Sequence, residues 1–200
     1  MRTVDEPITD DAADAAALLD RAREALAALG QMDLDGLGDG DLTELVMGAQ
    51  ALRGALEAAE ARVLAEWDRR RTWRASGAKT AAAWLAWRQR LPIAEARRRL
   101  RHARLTRQYP KVHEAWATGA LDRTHLVTLF GCRTARTQAA FDDEHEDLLD
   151  SAKARGFVDF KRHCDTWGFF RDPDGAEDRA RDDHDARELH LNQSFGGLWF

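Results

Sequence analysis

Two hundred residues suit one domain of ordinary size, with 44% hydrophobic side chains to fill a core and 32% charged ones to cover it. No apolar run approaches the ~20 residues a bilayer crossing needs, Met1-Arg-Thr-Val-Asp-Glu-Pro7 is no secretory signal, and Cys132 and Cys164 are too few for a disulfide framework, so a soluble, cytoplasmic protein without membrane contact is expected. The net charge of −5 hides a polarised chain: fifteen basic and three acidic side chains lie between Arg62 and Lys111, net +12, against −10 over residues 1–61 and −7 over 112–200.

Thr9 or Asp10 can cap a helix through Leu29, with Gly30 as its stop. Gly36, Gly38 and Gly40 mark a connector over 31–41. Asp41 followed by Glu44 resembles a capping box, opening a long helix over about 42–73. On it Leu45, Ala49, Leu52, Leu56, Ala59, Val63 and Trp67 step by four and three, one continuous apolar stripe for a partner helix or a second chain.

A shorter helix is expected from Lys79 to Gln89, then a turn, then a helix opened by Pro92 and running from Ile93 to about Arg107. Tyr109-Pro110 starts the next, which closes at Gly119. Asp122 caps one through Phe130, Thr137 begins another that reaches Gly156, and a last helix runs from Phe157 to about Phe169. Asp172-Pro-Asp-Gly175 is a turn signal, and Arg187-Glu-Leu-His-Leu191 alternates like a strand. The fold expected is mainly α: a multi-helix bundle with one long helix, a helix-turn-helix-like pair over about 79–107, and the start of a β-hairpin. Its organisation reads as an acidic helix over 1–30, a Gly/Asp linker over 31–41, a helical domain over 42–171, an acidic linker over 172–186, and a hairpin over 187–200 that breaks off at Phe200 as a truncation would.

The basic segment carries the functional reading. Arg97, Arg98, Arg101 and Arg104 fall opposite Ile93, Ala96, Leu100 and Ala103, and Arg88 and Arg90 lie just before them. Guanidinium groups crowded on one helix face repel each other unless an anion lies across them, and a phosphate backbone is such an anion. The competing reading neutralises that face with the acidic helix Asp142-Asp143-Glu144-His145-Glu146-Asp147. Trp84 and Trp87, three apart, mark either a core face or a stacking surface for unpaired bases, and the spacing favours core. His125, Cys132, His163 and Cys164 lack the short spacings of a metal site, and the acidic run from Asp172 to Asp185 lacks the order of a calcium loop. No catalytic constellation, metal site or cofactor site is expected in this chain.

Thr80-Ala-Ala-Ala-Trp-Leu-Ala86, Glu95-Ala-Arg-Arg-Arg-Leu-Arg-His-Ala-Arg104, the segment from Pro110 through Val112, Ala115 and Gly119 to His125, and Asp172-x-Asp174-Gly175 before Arg187-x-Leu-x-Leu191 together resemble the actinobacterial 13E12 repeat proteins. Their shared region is catalogued as domain of unknown function 222. The resemblance runs from about Leu42 to the end. It implies a parent protein of the HNH endonuclease type, with this chain as its amino-terminal helical part and any divalent metal confined to the absent nuclease domain. The scattered histidines supply none of that domain's residues, so none is carried over. Two further readings stand beside a DNA-contacting module: an assembly module that pairs helices through the Leu45–Trp67 stripe, and a remnant without independent activity.

Overall fold

Short polar side chains open two of the helices in the way their chemistry dictates. Thr80 accepts a hydrogen bond from the Ala83 N–H at 3.1 Å, and Asp122 accepts one from the His125 N–H at 2.8 Å. The computed structural model describes the backbone of residues 10–175 and the side chains of 13–175. In chain order the helices are α1 Asp10–Gly30, α2 Asp39–Arg69, a 3-10 helix Thr72–Ser76, α3 Ala81–Gln89, α4 Ile93–Gln108, α5 Pro110–Ala117, α6 Arg123–Gly131, α7 Gln138–Ala154 and α8 Phe157–Arg171. No strand occurs among the described residues, and the hairpin expected over 187–200 lies outside them. Among the described residues no helix is long and apolar enough to cross a membrane.

The chain divides into two compact units, Met1–Met47 and Gly48–Phe200, and the division falls inside α2. In the first unit α1 is exposed along its described side chains, Leu18 and Leu19 included. The start of α2 differs from expectation. The Gly38 carbonyl accepts the first helical hydrogen bond from Leu42, and the Asp41 carboxylate reaches back to the Gly38 N–H at 3.3 Å. Asp41 is therefore the third helical residue, bonding back to a Gly38 cap as in one half of a capping box, rather than the cap itself. The helix also stops at Arg69, four residues short of Trp73, because Arg71 turns left-handed at φ 56°.

The second unit is built around α4, whose Ala96, Leu100, His102, Ala103, Leu105 and Thr106 are all buried. α3 packs on α4, α5 follows α4 back across the core, and α6 packs on α7 and α8. Phe130, Phe141 and Phe160 are fully buried and centre the α6–α8 side. The middle of the apolar stripe of α2 faces away from the core of this unit, while Trp67 at its end packs against it. Gly54, Ala58, Ala61, Leu64 and Ala65 meet the core, while Leu52, Leu56 and Val63 are 45%, 54% and 69% exposed. The two faces lie roughly 180° apart on the helical wheel. Gly54 lies close to α5, where an added Cβ would meet the Trp116 carbonyl at 3.5 Å, an ordinary contact distance that leaves little room for a longer side chain.

Candidate nucleic-acid interface

One side of α4 is buried in the core and the other reaches solvent as a strip, and Arg97, Arg98, Arg101 and Arg104 all stand on that strip. The structure gives them different tasks. Arg98 pairs with Glu95 one turn back. The Arg101 Nη2 donates to the carbonyls of Phe130 at 2.7 Å and Arg133 at 3.3 Å, closing the carboxy-terminal end of α6. The Arg104 Nε donates to Asp68 of α2 at 2.8 Å. Arg97 has no ion pair or hydrogen bond among the described residues, so it alone of the four is uncommitted.

Arg88 and Arg90 extend the exposed charge onto α3. The Arg88 guanidinium lies over the Trp84 ring at 5.8 Å and the Trp87 ring at 5.5 Å. Arg90 occupies the left-handed position that ends α3, at φ 55° and ψ 42°, and the Leu91 N–H bonds back to the Ala86 carbonyl at 2.9 Å. Glycine is the usual residue at such a cap, since any other residue pays roughly 1 kcal/mol for the conformation. Arg90→Gly is therefore expected to raise stability by about 0.5–1 kcal/mol, read as a higher urea midpoint, while weakening any anion bound at this end of α3.

The other cations of the segment divide the same way. Arg69 and Arg70 both clasp Glu66, and their hydrogen bonds hold its carboxyl down at about 2. Arg62, Arg71, Lys79 and Arg107 are exposed and have no ion pair among the described residues. The acidic helix does not neutralise the strip. On α7, Asp142 takes Tyr109 and Arg133, Glu144 takes Trp167 and Arg171, and Glu146 takes Lys111 at 2.7 Å. Lys111 is thus the one cation of the basic segment among these α7 contacts.

A polar cluster behind the strip escaped the sequence reading. Arg99 donates to Glu95 and Glu60 at 3.0 Å each, and Arg123 donates to Glu95 at 2.8 Å and Glu57 at 3.1 Å. Burial would raise the Glu95 carboxyl, but the hydrogen bonds from Arg99 and Arg123 outweigh it and hold it at about 2. Beside them is a cavity of about 40 Å³ lined by Glu57, Glu60, Leu64, His102, Trp116 and the two arginines. Burial, reinforced by Arg101, Arg98 and Arg123, pushes the His102 imidazole down to about 4. The Trp116 indole N–H is buried there without a partner. The space suits two or three water molecules. The only signal in the sequence was Glu57-x-x-Glu60 and Arg99-x-x-His102 at helical spacing, which says nothing of their meeting.

The remaining candidates are structural. His125 is held by Asp122 at 2.9 Å and stacks on Phe160, and the His163 ring bonds the Ser151 hydroxyl at 2.6 Å. The neighbouring Cys132 side chain and burial both push the Cys164 thiol up. Among the described residues no group of three or more His, Cys, Asp or Glu could hold a metal ion. Asp172 is buried, bonding the Gly175 N–H at 3.0 Å and Arg136 at 3.4 Å, as a turn residue would. Trp84 is half-buried against Trp67, with ring centroids 4.7 Å apart, as expected of core. Trp87 departs from that expectation, because it is 71% exposed.

A family model described as a domain of unknown function, DUF222, matches residues 43–198. No curated protein and no solved structure matches the chain.

Proposed function

We propose that this chain, which belongs to the DUF222 family, is a nucleic-acid-contacting module whose exposed cations on α3 and α4 bind the phosphate backbone. The observation that carries this reading is that the strip keeps cations with nothing to neutralise them. Arg90, Arg97 and Arg107 are exposed and without an ion pair among the described residues, while Asp142, Glu144 and Glu146 of α7 are turned to other partners. Uncompensated guanidinium groups on a short helix pair repel one another, and phosphates relieve that repulsion while releasing counterions. Arg101 and Arg104 belong to the scaffold in this reading, since each already serves another helix.

The resemblance to the 13E12 repeat proteins supports a setting for the module. In it the helices hold DNA for a nuclease domain of the HNH type elsewhere in the polypeptide, and the chemistry stays with that domain. The test is binding to duplex DNA across a salt series. The expected result is a log–log slope of roughly −3 to −5, as about four to six phosphates are neutralised. A flat or absent response at low salt ends the proposal.

One observation favours a second reading. The Leu52, Leu56 and Val63 face of α2 stands outward, opposite the face that meets the core. A module that pairs helices between chains would use that face. It becomes the leading reading if the salt series shows no DNA affinity and sedimentation shows a dimer.

A further inference from the structure

We propose that the end of α3 is a stacking platform for unpaired bases, so that the ligand is DNA with single-stranded character; this rests on the phosphate reading above. A tryptophan left 71% exposed within one turn of a helix end is the observation to explain. Of the other tryptophans described, Trp67, Trp73 and Trp84 are half-buried and Trp116 and Trp167 are buried.

Trp87 ends an ordered row. Trp67 of α2 packs on Trp84 with centroids 4.7 Å apart, and the Arg88 guanidinium lies within 6 Å of both the Trp84 and Trp87 rings. The inner members are anchored in the fold, and the last presents its ring to solvent. A guanidinium over the indole limits the ring's freedom, so a planar ligand meets a partly ordered surface.

The chemistry of the surroundings selects the occupant. An apolar protein surface would need apolar neighbours, yet Trp87 is followed by Arg88, Gln89 and Arg90, all exposed. A nucleobase offers a π-face to the indole, and its own phosphates answer the cations on either side. Closed duplex buries those π-faces between neighbouring pairs. Unpaired strands expose them, and stacking is tolerant of base identity. Aromatic rings interleaved with cations are the arrangement by which single strands are held without sequence readout.

The experiment uses the full chain, its Trp87→Ala and Trp87→Phe variants, and an Arg90→Glu/Arg97→Glu variant. Three labelled probes are compared by fluorescence anisotropy at low salt: an oligothymidylate, a duplex of equal charge, and an oligonucleotide of equal length made of abasic sites. Expected is tighter binding of the oligothymidylate than of the other two, with loss of that advantage, about tenfold or more, in Trp87→Ala. Trp87→Phe retains most of it. The arginine variant weakens all three probes. If Trp87→Ala leaves the oligothymidylate unchanged while the arginine variant weakens it, the stacking platform is overturned and phosphate binding stands. Equal losses on all three probes in Trp87→Ala also overturn the platform. Absence of binding to any probe overturns both.

Discussion

Reversing the charge of Arg90, Arg97 and Arg107 together is expected to lower DNA affinity about a hundredfold at low salt and to flatten the salt slope by about three. Stability should stay within about 0.5 kcal/mol of the parent, because these three are exposed and make no ion pair among the described residues. The contrasting variant is Arg101→Ala with Arg104→Ala. It strips the Phe130 and Arg133 carbonyls at the end of α6 of their donor and breaks the Arg104–Asp68 pair. The carbonyl contacts are worth about 1–2 kcal/mol and the exposed pair at most about 1 kcal/mol, so this variant should lose stability first. Denaturant titration and anisotropy on both variants separate the assignments. If the Arg101/Arg104 variant loses DNA while the triple reversal keeps it, the strip is used at the expense of its internal contacts and the assignment is wrong.

The second large effect is on stability against pH. The folded His102 imidazole titrates at about 4, below the usual value of 6.5, because it is buried and surrounded by arginines. Between those values the unfolded chain binds the proton and the folded one does not. Stability is then full above about pH 6.5 and falls as the pH drops toward 4, by roughly 2–3 kcal/mol. Glu95 has a window of the same sign at lower pH. Its carboxyl is held at about 2 by Arg99 and Arg123 against the effect of burial, so its contribution is present above about pH 4.5 and is lost as the pH falls toward 2. Urea unfolding in steps from pH 7 to pH 4.5 reads the first window without much of the second. His102→Gln, which cannot titrate there, should flatten the dependence. A slope that persists in His102→Gln would assign it to other groups.

The helix boundaries set by local chemistry were legible in advance. Pro92, Pro110 and Asp122 start helices through contacts and dihedral preferences confined to a few residues, and the structure realises each start. The family likeness was legible too, because ordered motifs survive as strings. The length of α2 was overestimated, since a left-handed turn at an arginine leaves no mark in composition.

What the chain alone determined, then, is a mainly helical protein with a strongly basic segment, because helix propensity and net charge are sums over residues. What only the tertiary structure decided is direction. Leu52, Leu56 and Val63 of α2 point outward, because the face that meets the core is the one carrying Gly54, Ala58, Ala61, Leu64 and Ala65. Arginines at one helical spacing divide between scaffold and free surface, because whether Arg101 meets a carbonyl or Arg97 meets solvent depends on which helix end lies across from each. Trp84 and Trp87, equal in type and three residues apart, part company for the same reason: one has Trp67 against it and the other is left to solvent. Each outcome is a property of the partner's position, and that position is fixed by how the whole core packs.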